Sequence, residues 1–230
     1  MSLADPLVFK YNFHFENKED IQFKIALDAD TLNLITKPVK DTTGWARLDN
    51  EKCSNCPLDS KDYPNCPIAY NLTGVLPFFV DMYSFEAVKV TVRIAERVYA
   101  ASTTVQQALA SMMGIFMVTS KCPIMSKLKP MVRFHLPFAS VEETIYRAAS
   151  TYLLGQYFKY KKGETPDWDL TGLRQIYKDV QKVNIGMAAR LRSLSEKDAN
   201  LNALVELDVF AKEMPDNIQE ELKMLAYLFE

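Results

Sequence analysis

Two stretches near the N-terminus alternate strictly between apolar and polar residues, a pattern that a helix cannot use. Phe9, Tyr11, Phe13 and Phe15 alternate with Lys10, Asn12, His14 and Glu16. After a polar turn over residues 16–20, Ile21, Phe23, Ile25 and Leu27 alternate with Gln22, Lys24 and Ala26. A period of two sends every apolar side chain to one face of a strand, so residues 8–28 are expected to form a half-buried antiparallel hairpin. Val88, Val90, Val92 and Ile94 repeat the pattern against Lys89, Thr91 and Arg93. Ala95 and Glu96 offer a turn, and Arg97 to Ser102 can return as the partner strand. Between the two hairpins, residues 29–52 read as a covering loop. Pro67 suits the first position of a helix, with Cys66 as its N-cap, running to about Tyr83 with a kink at Pro77.

Past residue 103 the period changes to that of helices. Thr104 with Gln107 and Ser140 with Glu143 have the spacing of capping boxes. The first opens a helix over 105–119 that is apolar almost all round, as a central buried element would be. The second opens a helix over 141–161 with Val141, Ile145, Ala148, Tyr152 and Gln156 on one stripe, ending in lysines that suit a helix C-terminus. A helix over 170–193 carries Leu173, Val180, Met187 and Leu194 at seven-residue spacing, with Tyr177 and Leu191 between them. Asn184 falls on that stripe and is expected to face solvent. Two shorter helices are expected near 198–213 and 217–229, the last capped by Asp216 and Gln219. The fold class is therefore α+β: a small antiparallel sheet of about four strands packed against a larger, mainly helical part. Residues 1–102 form the mixed part with a Cys-rich loop at 53–66, and residues 103–230 the helical part. The uncharged central helix should belong to both cores, which favours one continuous domain.

All four cysteines, Cys53, Cys56, Cys66 and Cys122, look as if they serve one site. The first three fall in C-x2-C-x9-C, and Cys122 would close a tetrahedron from a distance. Four thiolates in that arrangement hold zinc or an iron–sulfur cluster. His135 could replace one of them. Prolines at 57, 67 and 123 remove the backbone N–H directly after three of the sulfurs, which counts against an ordinary zinc knuckle. Two other readings stand beside the metal: a redox or disulfide pair, and inert buried thiols. If any thiol is a nucleophile, Cys66 is the choice, because a helix N-terminus lowers a thiol pKa. A second constellation comprises Arg133, His135, Glu142, Glu143 and Arg147. Its plain reading is a Glu143–Arg147 ion pair beside a hydrogen-bonded histidine; its sharper one is His135 as acid–base. His14 lies on the polar face of the first hairpin and should be solvated. Methionines 112, 113, 117, 125 and 131 are expected to fill the core rather than bind a soft metal.

Other classes are excluded more firmly. Lysine plus arginine is 27 against 29 acids, a net charge of 27 − 29 = −2. A chain so balanced lacks the basic excess that nucleic acid requires. The seven glycines are never closer than eight residues. No phosphate-cradling loop can be drawn, so no nucleotide cofactor is expected. The N-terminus lacks a secretory signal, and the unbroken apolar run from Met112 to Val118 is too short for a bilayer. A cytoplasmic protein with reduced thiols is the expectation, without nucleic acid or membrane as partner.

The loop CSNCP…CP, with the run from SKCPIM through MVRFHLPFASVEETIYRAASTYLLGQYF, resembles a family of uncharacterised bacterial proteins. The resemblance implies a bacterial source and a chain that stands alone, and it supplies no catalytic residues. The expected function is a non-catalytic binding or regulatory protein with a Cys-ligated metal, acting on a protein partner or small molecule. The alternative is a thiol- or metal-dependent enzyme using Cys66 and His135, which needs one pocket holding both.

Overall fold

The computed structural model describes residues 5–35, 41, 43–193 and 198–230, and only the backbone of 210, 213–217, 219 and 221. The two alternating stretches form β1 (Leu7–His14) and β2 (Ile21–Leu27), and the second pair forms β3 (Ala87–Arg93) and β4 (Val98–Thr104). The sheet is wholly antiparallel in the order β2-β1-β3-β4. Register follows the apolar face: Tyr11 stands opposite Phe23 on one side and Val92 on the other. Phe9, Tyr11, Phe13, Ile25, Leu27, Val88, Val90 and Val92 are all buried. Each such side chain contributes about 1.5–3 kcal/mol by leaving water. Slipping one strand by a residue would expose its whole set, so the pairing is strongly determined. Ile94 N–H donates to Arg97 O at 2.9 Å and closes the two-residue turn at Ala95-Glu96.

The first helix is shorter than expected. Helix α1 covers Pro67–Leu72 with Cys66 at its N-cap, and a separate 3₁₀ turn covers Leu76–Phe79. Pro77 sits inside that turn, where it cannot extend an α-helix. Helix α2 (Val105–Thr119) runs as expected and packs against β3 and β4 as well as the helical part. Its expected capping box does not form: Thr104 makes no side-chain cap. The chain before β3 satisfies the exposed N–H groups instead, with Val105 N–H on Glu86 O and Gln106 N–H on Ser84 O. Residues Met125–Phe134 form a 3₁₀ helix, which buries Val132 and exposes Phe134.

Helix α3 (Val141–Lys161) opens on the expected capping box between Ser140 and Glu143. Helix α4 (Thr171–Arg192) buries Leu173, Tyr177, Val180, Met187 and Leu191; Leu194 lies outside the described residues. Asn184 does not face solvent. It is 1% exposed and donates through Nδ2 to Asp208 at 3.2 Å. The two short C-terminal helices are one helix, α5 (Ala199–Met224), packed along α2 and α4. Leu204, Ala211, Ile218 and Leu225 are buried at seven-residue spacing straight across Pro215, so continuous packing outweighs a cost of about 3 kcal/mol for an internal proline. The side chains of Asp216 and Gln219 lie outside those described. Among the described residues no helix is long and apolar enough to cross a membrane.

A candidate thiol site beneath helix α4

The cysteine loop is tied at both ends before any side chain acts. Leu48 N–H donates to Pro64 O and Cys66 N–H to Ala46 O, so 46–66 closes on itself. Cys56 N–H donates to Cys53 O at 3.0 Å, the tight turn expected of C-x2-C. Helix α4 lies over this loop along one stripe: Asp179, Val183, Gly186 and Arg190. Asp179 O accepts from Asn55 Nδ2 at 3.0 Å, and Val183 O accepts from the Cys53 thiol at 3.8 Å. A Cβ on Gly186 would come within 2.7 Å of the Cys53 sulfur. Arg190 donates to the backbone oxygens of Trp45 and Arg47.

The electrostatics of the thiols are shared. Burial first, and then Cys66, Cys56 and Cys122, push the Cys53 thiol up to about 12 against the pull of Arg190. Burial also raises Cys122, with smaller contributions from Cys66 and Cys56. Backbone N–H groups of Met125 and Ile124 act on the Cys122 sulfur and pull the other way. Pro123 thus removes one donor while the next two residues supply theirs, so the argument from proline fails at this cysteine. The four thiols are free and belong to one electrostatic neighbourhood. Among the described residues, however, no three of His, Cys, Asp or Glu stand where they could hold a metal ion. The charge facing the thiols is Arg190. Burial lowers its pKa, and Cys66, Cys53, Glu51 and Cys56 counter that shift. Its guanidinium is 1% exposed, forms no ion pair among the described residues, and leaves Nε without a partner. Sequence reasoning missed Arg190; its signal was a basic residue continuing the 179-183-186 stripe.

The second constellation is rearranged. Glu143 turns back to the Ser140 N–H at 2.7 Å, and no Glu143–Arg147 ion pair forms among the described residues. Capping uses up the carboxylate. Arg147 instead donates to Met131 O at 3.0 Å. Arg133 is exposed, over the Phe134 ring, and Glu142 accepts from the Tyr227 hydroxyl. His14 is exposed and lies 2.7 Å from Asp20. His135 Nε2 meets the Tyr11 hydroxyl at 2.8 Å, and that hydroxyl lies 3.0 Å from Ser111 Oγ. His135 lines a cavity with Ser111 and Arg147 in which no cysteine takes part. Cys66 and His135 therefore do not share this pocket, as the enzyme reading required.

Residues 9–230 match the family described as Domain of unknown function (DUF6901). The chain belongs to that family. No curated protein and no solved structure matches this DUF6901 chain.

His135 supplies a pH test of the fold. Burial first, and Arg147 second, depress its pKa from 6.5 to about 3. The unfolded chain takes up a proton on this ring below about pH 6.5, and the folded chain does not until about pH 3. Stability should therefore rise with pH across that window, by up to about 1.4 kcal/mol per pH unit, and level off above it. Urea unfolding of the native and His135→Leu chains at about pH 4.5 and about pH 7.5 reads the difference. Equal pH slopes in the two chains would contradict it.

Proposed function

We propose that the chain is a non-catalytic binding or regulatory protein whose loop, α1 and α2 ends are held together by one metal ion on the thiolates of Cys53, Cys56, Cys66 and Cys122. Zinc is the favoured ion, because a closed set of four thiolates is its ordinary structural site. The observation that carries the reading is Arg190. A buried guanidinium that forms no ion pair among the described residues is costly, and the acidic groups that act on it are three of these thiols and Glu51. Thiolates drawn together by a metal would compensate that charge. The donor groups of Ile124 and Met125 suit a thiolate at Cys122 for the same reason. A metal would also have to draw the sulfurs into ligating positions, so binding and ordering of the loop should be coupled.

Metal content decides the matter. Protein purified without oxygen should carry about one zinc per chain, and chelation should release it with a fall in melting temperature. Iron with sulfide and broad visible absorption would place a cluster on the same ligands. Metal-free protein with four freely titrating thiols would end the proposal.

A further inference from the structure

A cavity of about 530 Å³ opens beside α2 and the Met125–Phe134 segment, with no cysteine in its wall. That is within the range of about 300–1,000 Å³ usual for small-molecule sites. Much of its wall is apolar, and Met117, Met125 and Met131 all line it. Methionine side chains adapt to the shape of an occupant. Against this wall stand a few polar groups. Arg147 commits one N–H to Met131 O and forms no ion pair among the described residues. The Tyr11 hydroxyl occupies His135 Nε2, which leaves Nδ1 as the ring nitrogen not engaged by Tyr11. Glu206, the one carboxylate of the wall among the described residues, is exposed and already accepts from Gln106 Nε2 at 2.7 Å. Asn184, also in the wall, donates through Nδ2 to Asp208.

We infer that this cavity binds a small organic carboxylate with an apolar body, the carboxylate on Arg147 and the His135 side and the body among the methionines. The ligand class follows from charge: a guanidinium that forms no ion pair among the described residues, with Glu143 nearby but committed to its helix cap, recognises an anion that brings its own apolar surface. No cysteine lines this site and no metal is needed to form it, so the two proposals can fail separately.

The test uses the whole chain as purified, with decanoate and decan-1-ol as probes in calorimetry. Decanoate should bind saturably below about 1 mM, and decan-1-ol at least about tenfold more weakly. Arg147→Met should weaken decanoate by about tenfold or more and leave decan-1-ol within about twofold. Gly114→Leu provides a second variant. Gly114 lines the cavity, and a Cβ there meets only Leu207 Cδ2 at 3.9 Å, so a leucine has room to enter and replaces a helical glycine. It should abolish binding of both probes. No decanoate binding up to about 1 mM, or binding that either folded variant leaves unchanged, overturns the proposal. Should Arg147→Met fail to fold, the contrast between probes and the Gly114→Leu result decide it.

Discussion

An Arg190→Ala chain is expected to lose about 3–5 kcal/mol of stability, read as a lower urea midpoint with an unchanged slope. The side chain is 1% exposed and donates to Trp45 O and Arg47 O. Each charge-assisted bond contributes roughly 1.5–3 kcal/mol, and truncation also leaves two carbonyls and a large void. Total stability of a domain is about 5–15 kcal/mol, so the loss is a large fraction. Trp45 reports it locally, because it is 8% exposed and its carbonyl is one of the acceptors. Arg190→Lys keeps the charge but not the planar fork, and should recover only part of the loss. A loss below about 1 kcal/mol would mean that the guanidinium does not hold the loop to α4.

Gly186→Ala sets two effects of opposite sign against each other. Helix propensity alone favours alanine by about 1 kcal/mol. Packing opposes it, because the new Cβ would lie 2.7 Å from Cys53 Sγ and 3.2 Å from Cys53 Cα. A side-chain tip can move aside, but a backbone atom carries the loop with it. Overpacking of this kind costs about 1–3 kcal/mol and sometimes more, so the net expectation is a loss of about 2 kcal/mol. Gly155→Ala is the control. It sits on α3 with nothing within 4 Å of its Cβ, and should gain roughly the propensity difference. If both substitutions stabilise the chain equally, the close approach of α4 to the cysteine loop is wrong.

These two positions show where local patterning stops. The strands at 7–14, 21–27 and 87–93 were legible because alternation is a property of neighbours along the chain, and 98–104 as the return from the turn at Ala95-Glu96. So was the start of α3, since Ser140 and Glu143 bond each other within one turn. The expected cap of α2 failed because the chain at Ser84 and Glu86 supplied its acceptors from outside any sequence window. The expected break near Pro215 failed for the opposite reason. Leu204, Ala211, Ile218 and Leu225 keep one buried stripe at heptad spacing across it, and that pattern lies within the sequence. Asn184 was assigned to solvent because nothing local announces Asp208 as its partner.

For the site, the residue types were legible and their company was not. Four cysteines and a cluster of Arg133, His135, Glu143 and Arg147 stand out in any reading of the chain. Their roles were decided by competition among partners. Glu143 could pair with Arg147 or cap its own helix, and the cap took it, which left the arginine to the cavity.

By itself the sequence determined the α+β class, the apolar faces of β1, β2 and β3, the main helices and the family to which the chain belongs. Only the tertiary structure decided that α4 covers the cysteine loop with Arg190, and that Tyr11, Ser111 and His135 meet at a cavity separate from the thiols. The reason is distance along the chain. Cys53 meets Val183 across 130 residues and Tyr11 meets His135 across 124, and no periodicity reaches so far. Such contacts are chosen when whole faces pack, after the local patterns have done their part.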